Sequence, residues 1–188
     1  MGRPSRQSGG SLIEILVTLV ILMVGLLGLV GLMVQSQRSQ MESYQRVQAL
    51  MLLDDMVNRI NTNRKAAACY AITTGANGTP YLGTGSNVAP ACATGTAQQQ
   101  ARAVADMNEW HALLLGSTET SGGANVGGMI GARGCVEQIA PGVYQVSVTW
   151  QGGGRTGAPP GVNCATGLYG DDAQRRAVSV NVQIASLI

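Results

Sequence analysis

The sequence has no phenylalanine, one histidine and few charged side chains. Charged residues make up 12% of its 188 positions, about half the usual globular share. A single histidine leaves a metalloenzyme or a triad hydrolase without its usual residues. The balance of 12 Lys and Arg against 10 Asp and Glu, a net charge of +2, excludes a nucleic-acid binder resting on a broad basic surface. It equally excludes an acidic disordered tail and a charge-laced coiled coil. No Gly-Lys-Ser/Thr occurs, so no phosphate loop is expected. What is present is an ordinary 45% of apolar residues, 26 glycines and a length suited to one domain or one domain with an appendage.

The apolar residues are unevenly placed. Met1 to Gly9 is short, polar and basic through Arg3 and Arg6, and Ile15 to Val34 is a run of 20 residues with Thr18 as its only polar member. At about 1.5 Å per residue this run spans roughly 30 Å, the hydrocarbon thickness of a bilayer. A central buried helix is the competing reading, but such a helix is seldom apolar all round over that length. A cleavable secretory signal has a shorter apolar core, about 7–15 residues, and ends at a small-residue site. Here the run passes instead into Gln35-Ser36-Gln37-Arg38. The leader arginines orient the N-terminus inward and leave everything after Val34 outside the cytoplasm.

Glu14 stands at the mouth of this run, where a carboxylate is costly in lipid and marks a functional hypothesis. An interfacial carboxylate among headgroups is the alternative. Gly9-Gly10-Ser11-Leu12-Ile13-Glu14, followed by 20 apolar residues, resembles the class III signal of type IV pilins and pseudopilins. The resemblance implies cleavage by a prepilin peptidase between Gly9 and Gly10, N-methylation of Gly10, and a glutamate fifth in the mature chain. The first mature position, usually Phe in that family, is Gly10 here. The resemblance also implies a partner for Glu14: the terminal ammonium of a neighbouring subunit, with which it would offset two desolvation costs. Gly25, Gly28 and Gly31 recur every three residues in the run. They allow either close helix packing or local unwinding within a filament.

Residues 35–65 read as an amphipathic continuation of the helix, with Met41, Tyr44, Val47, Leu50, Met51, Leu53, Met56, Val57 and Ile60 at helical spacing. Glu42–Arg46 and Asp55–Arg59 are expected i,i+4 pairs. Composition then changes: 20 of the 26 glycines fall between Gly75 and Gly170, mostly as turn signals. Ala97 to Leu115 reads as a second helix. Val143–Trp150 and Ala177–Ile184 alternate apolar and polar residues as half-buried strands, with a third strand over Cys135 to Ile139.

Cys69, Cys92, Cys135 and Cys164 form no C-x-x-C, and the lone His111 completes no zinc set. No metal site and no cofactor is expected. In an oxidising compartment an even count points to two disulfides. Of the three possible pairings the sequential one, Cys69–Cys92 with Cys135–Cys164, is favoured. His111 reads as structural, and Asp171-Asp172 beside Arg175-Arg176 as a solvated turn with local ion pairs rather than a calcium loop. Asn77-Gly78-Thr79 formally fits a glycosylation sequon.

The later residues resemble the PilV family of minor pilins, the type IV pilus modification proteins. The match rests on Gly25-Leu-Leu-Gly-Leu-Val-Gly31, Asn58-Arg59, Asp106, Trp110, Gly134-Cys135-Val136, the Val-Ser-Val-Thr-Trp strand and Arg175-Arg176. The expected fold is an α+β, type IV pilin-like ladle. It comprises a leader (1–9), a membrane and filament-core half-helix (10–34), an amphipathic half-helix (35–66) and a periplasmic head (67–188) packed as helix on antiparallel sheet. The resemblance implies a non-enzymatic minor subunit, held first in the inner membrane and then in the pilus at the cell surface. Its implied partners are other minor pilins, the major pilin, the prepilin peptidase, the inner-membrane assembly platform, the lipid bilayer and a tip adhesin. A type II secretion pseudopilin would share the first 34 residues, and a membrane-anchored periplasmic enzyme is the third reading. Removing Arg3 and Arg6 with the leader leaves ten side chains of each sign in Gly10–Ile188.

Overall fold

A computed structural model describes residues 10–185. The leader, Gly9 included, lies outside the described residues. The chain divides into two compact units, Met1–Met41 and Glu42–Ile188. Helix α1, Leu12–Thr62, contains no proline and supplies the whole described helix of the first unit and the opening helix of the second.

Within the second unit α1 turns Gln45, Ala49, Leu53, Met56 and Ile60 inward. Tyr44, Val47, Leu50 and Met51, expected on the core face, are exposed. Apolar residues surround this stretch on more than one side, so periodicity alone does not choose the buried stripe. The small side chain of Ala49 and the Trp110 indole, whose Nε1 donates to the Leu52 carbonyl at 2.8 Å, select the face that packs. The helix also ends before the expected position. Asn63 leaves helical geometry, and Arg64–Tyr70 continues as a 3-10 segment kinked at Ala66. Asn63 Nδ2 donates to the Gln99 carbonyl at 2.8 Å and to the Tyr70 hydroxyl at 3.3 Å. Its side chain therefore ties the helix end to neighbouring elements.

Helix α2, Ala97–Leu114, opens on a capping box in which Thr96 and Gln99 satisfy each other's backbone N–H. Strands β1 (Leu82–Gly83), β4 (Arg133–Ala140), β5 (Val143–Gln151) and β6 (Arg175–Gln183) form one antiparallel sheet in the order β1-β4-β5-β6. A separate two-stranded ribbon pairs β2 (Thr120–Ser121) with β3 (Ala124–Asn125). One face of the main sheet carries Val136, Tyr144, Val146, Val148, Trp150, Val178 and Val182 into a single core with α1 and α2. The fold is α+β, with the Glu42–Thr62 stretch of the long helix packed on an antiparallel sheet.

The other face was expected to be solvated, yet Ser147 and Thr149 on β5 are buried. The glycine-rich connection after β5 folds back over them. It adds Val162, Cys164, Ala165 and Tyr169 to a second cluster with Cys135, and the Thr149 and Tyr169 hydroxyls lie 2.9 Å apart. Disulfides join Cys69 to Cys92 and Cys135 to Cys164, the second holding this connection against β4. Each such link stabilises by about 2–4 kcal/mol.

Gly134 marks where β4 and α2 touch. A Cβ there would overlap the Trp110 ring at Cη2 and lie 2.8 Å from Leu114 Cδ1. Gly134→Ala is expected to cost about 1–3 kcal/mol by overpacking, read as a lower denaturant midpoint of Trp fluorescence. An unchanged midpoint would contradict this contact.

Candidate assembly site

In the first unit, Gly10 and Ser11 precede α1, and Glu14 stands in its first turn. The Glu14 N–H donates to the Ser11 carbonyl at 2.9 Å, and that of Ile15 to the same oxygen at 3.3 Å. The turn brings the two residues close: Glu14 Oε2 lies 3.6 Å from where a Gly10 Cβ would stand. A carboxylate here also sits favourably at the positive end of the helix dipole. Gly9, the other residue of the expected cleavage, falls outside the described residues.

Beyond Glu14 the helix is uniformly apolar, with a mean hydropathy of 2.9 over its most apolar 18 residues. Thr18 does not break this character, because its hydroxyl donates to the Ile15 carbonyl at 2.8 Å. Large apolar side chains from Leu12 to Val34 are exposed, from 44% at Val34 to 80% at Leu12. Gly25, Gly28 and Gly31 lie within unbroken helix and have open space beside them. By length and composition α1 can cross a membrane. The site is therefore a carboxylate at one end of an apolar rod, with a surface suited to lipid or to other apolar helices.

The second unit contains a polar cluster whose long-range links helical spacing does not reveal. Arg59 Nε pairs with Asp55 at 2.7 Å, as expected along α1. Its Nη1 also reaches Asp106 at 3.0 Å and Glu109 at 2.6 Å on α2. Asp106, 1% exposed, accepts in addition from the Tyr70 hydroxyl at 2.6 Å and pairs with Arg102 at 3.0 Å. Burial acts to lower the Arg59 guanidinium, but Asp55, Glu109 and Asp106 outweigh it and hold the group above its ordinary value. The Tyr70 phenol is raised by burial and then by its bond to Asp106. Glu109 is held below the usual carboxylate value by its hydrogen bond from Arg59.

Several residues behind the family resemblance meet in this cluster and beside it. Arg59 bonds Asp106, and Trp110, one turn further along α2, packs against Gly134. These are packing and pairing roles. His111 is structural in the same sense, its Nδ1 accepting the Gly83 N–H at 3.0 Å. Glu42 is paired not with Arg46 but with Arg176, at 3.1 Å. Asp171 pairs with Arg155, and Asp172 grips Arg175 through both oxygens at 2.7 and 2.8 Å. Arg175 is only 3% exposed and donates to the Val162 and Cys164 carbonyls. The pair thus locks the loop against β6 rather than forming a solvated turn. Among the described residues no three His, Cys, Asp or Glu side chains stand together where they could hold a metal ion.

Residues 4–30 match the family described as the prokaryotic N-terminal methylation motif. The chain therefore carries a type IV prepilin-like signal, and the match ends within the apolar stretch of α1. That signal, the exposed apolar helix and the α+β head together are the features of a type IV pilin-like or pseudopilin subunit. Such a signal implies processing by prepilin peptidase and assembly with other pilins. The motif and the apolar helix fit anchoring in the inner membrane. No curated protein and no solved structure matches the chain.

Proposed function

We propose that the chain is a minor pilin of the PilV kind. It takes part in type IV pilus assembly, within an inner-membrane priming complex and then at the pilus tip. The observation that carries this reading is the methylation motif at residues 4–30, with Glu14 at the mouth of an exposed apolar helix. The peptidase cuts between Gly9 and Gly10, Gly10 is methylated, and the head remains periplasmic until the subunit enters the filament. Its role is assembly, not catalysis. Parallel helices bundle through their apolar surfaces, Glu14 sets the stagger with a neighbour's terminal amine, and the head makes lateral contacts. Its neighbours are other minor pilins, the major pilin, the assembly platform and a tip adhesin.

Deletion of the gene is expected to reduce surface pili severalfold, counted by electron microscopy and by immunoblot of sheared filaments. The processed major pilin should persist in the membrane. Unchanged piliation would overturn the priming role. The N-terminal motif is equally that of a type II secretion pseudopilin. In that case the deletion would abolish secretion of a type II substrate and leave pili intact.

A further inference from the structure

Among the described residues the outer edge of β6 pairs with no other strand. The Ile184 N–H donates to the Gly142 carbonyl and the Gly152 N–H to the Gln174 carbonyl, both at 2.8 Å. With the continuous β5–β6 register, these bonds make the even-numbered residues of β6 the ones that exchange hydrogen bonds with β5. Ala177, Ser179, Asn181 and Gln183 therefore turn their N–H and C=O groups away from the sheet. Among the described residues these outward groups have no hydrogen-bond partner. Soluble proteins normally blunt such an edge with charge, proline or a bulge. From Ala177 to Ile184 there is no charged residue and no proline, and the pairing with β5 has no irregularity. Val180, on the core-facing side of the strand, is left 38% exposed at this edge.

A cleft of about 310 Å³ adjoins the C-terminal end of the same strand. Its apolar lining comes from Ala67, Tyr144, Ile184 and Ala185, and Arg64 and Lys65 stand at it with their charges. Among the described residues neither cation makes an ion pair. In this unit most other arginines are committed: Arg59, Arg102, Arg155, Arg175 and Arg176 to carboxylates, and Arg133 to the rings of Tyr81 and Tyr169.

The geometry points to a docking site for an extended segment of another polypeptide, added antiparallel to β6 with acidic residues at its N-terminal end. The outward amides of Ala177 to Gln183 supply the main-chain bonds, and alternate apolar side chains cover Val180. The acidic end meets Arg64 and Lys65 at the cleft. Such strand addition takes affinity from backbone bonds and specificity from the side-chain sites beside them. This docking role goes beyond the minor-pilin reading, and its test is readable whether or not pili form.

The probe is acetyl-Asp-Glu-Val-Thr-Val-Thr-Val-Thr, labelled at its C-terminus and titrated by fluorescence anisotropy against the full chain in phosphatidylcholine nanodiscs. Binding is expected to weaken at least tenfold when Lys-Lys replaces Asp-Glu. The same loss is expected for the Arg64→Glu/Lys65→Glu variant, whose changes are at exposed positions. Ser179→Pro, which removes one outward N–H and leaves the β5 ladder intact, should match it, and Ser179→Thr should retain binding. A carbodiimide should join the bound peptide to Lys65, the chain's only lysine. Absence of binding, or equal binding to all variants, would overturn the proposal. So would binding that appears only after residues 186–188 are removed, since the chain's own end would then fill the cleft. Laurate that binds with the same dependence on Arg64 and Lys65, where the peptide fails, would reassign the cleft to an anionic amphiphile.

Discussion

Glu14→Ala is expected to leave leader cleavage intact and to reduce the protein in sheared filaments at least about a hundredfold. The cause is electrostatic. In the proposed assembly the carboxylate neutralises the terminal ammonium of an adjacent subunit inside an apolar helix bundle. Removing one partner of a buried pair leaves the other uncompensated, at about 3–5 kcal/mol, and each 1.4 kcal/mol is tenfold in an equilibrium. In the proposed processing cleavage is a separate event at Gly9–Gly10, and Glu14 lies in the first turn of α1. The processed form should therefore accumulate in the membrane, visible as the shorter species on an immunoblot. Glu14→Gln should resemble Glu14→Ala, because it keeps the shape and loses the charge. Normal filament entry by either variant would remove Glu14 from assembly. Failure of cleavage would instead place it in recognition by the peptidase.

How far the sequence reveals the molecule depends on the range of the interaction concerned. The apolar run from Ile15 to Val34 is legible because each residue contributes to one local property. The alternation Tyr144, Val146, Val148, Trp150 is legible for the same reason, and these side chains do form the core face of β5. The burial of Ser147 and Thr149 is not, because it arises from a connection held by a disulfide 29 residues along the chain. The core stripe of α1 is likewise set by what arrives from elsewhere. Gln45 and Ala49 are buried while Tyr44 and Met51 are exposed, an outcome that no count of apolar residues on one helix foresees. Of the candidate assembly site, Glu14 and its apolar setting can be read directly, since both lie within a few helical turns. The reach of Arg59 to Asp106, 47 residues away, carries no local pattern beyond the Asp55–Arg59 spacing.

That cluster carries the largest expected effect on the head itself. Asp106→Ala removes one acceptor that serves Arg59 and Tyr70 together, at a position 1% exposed. Arg59 would keep Asp55 and Glu109, but the Tyr70 hydroxyl would be left with only the 3.3 Å contact from Asn63. Breaking a buried ionic link from one side costs about 3–5 kcal/mol, against a total stability of about 5–15 kcal/mol for a domain. The variant should therefore show a markedly lower denaturant midpoint and a reduced steady-state level in cells. Asp106→Asn keeps an oxygen acceptor and the side-chain shape, and should fall between wild type and Asp106→Ala. Glu109→Ala tests the alternative that any loss of negative charge on α2 is equally harmful. Its carboxylate also bonds Arg59, but its side chain is 63% exposed, so water replaces what is lost and the midpoint should stay close to wild type. Equal midpoints for Glu109→Ala and Asp106→Ala would mean that the charge of α2, rather than the buried acceptor at Asp106, joins it to α1. The predicted order would instead identify Asp106 as the point through which the Glu42–Thr62 stretch of α1, the Arg64–Tyr70 segment and α2 are held together.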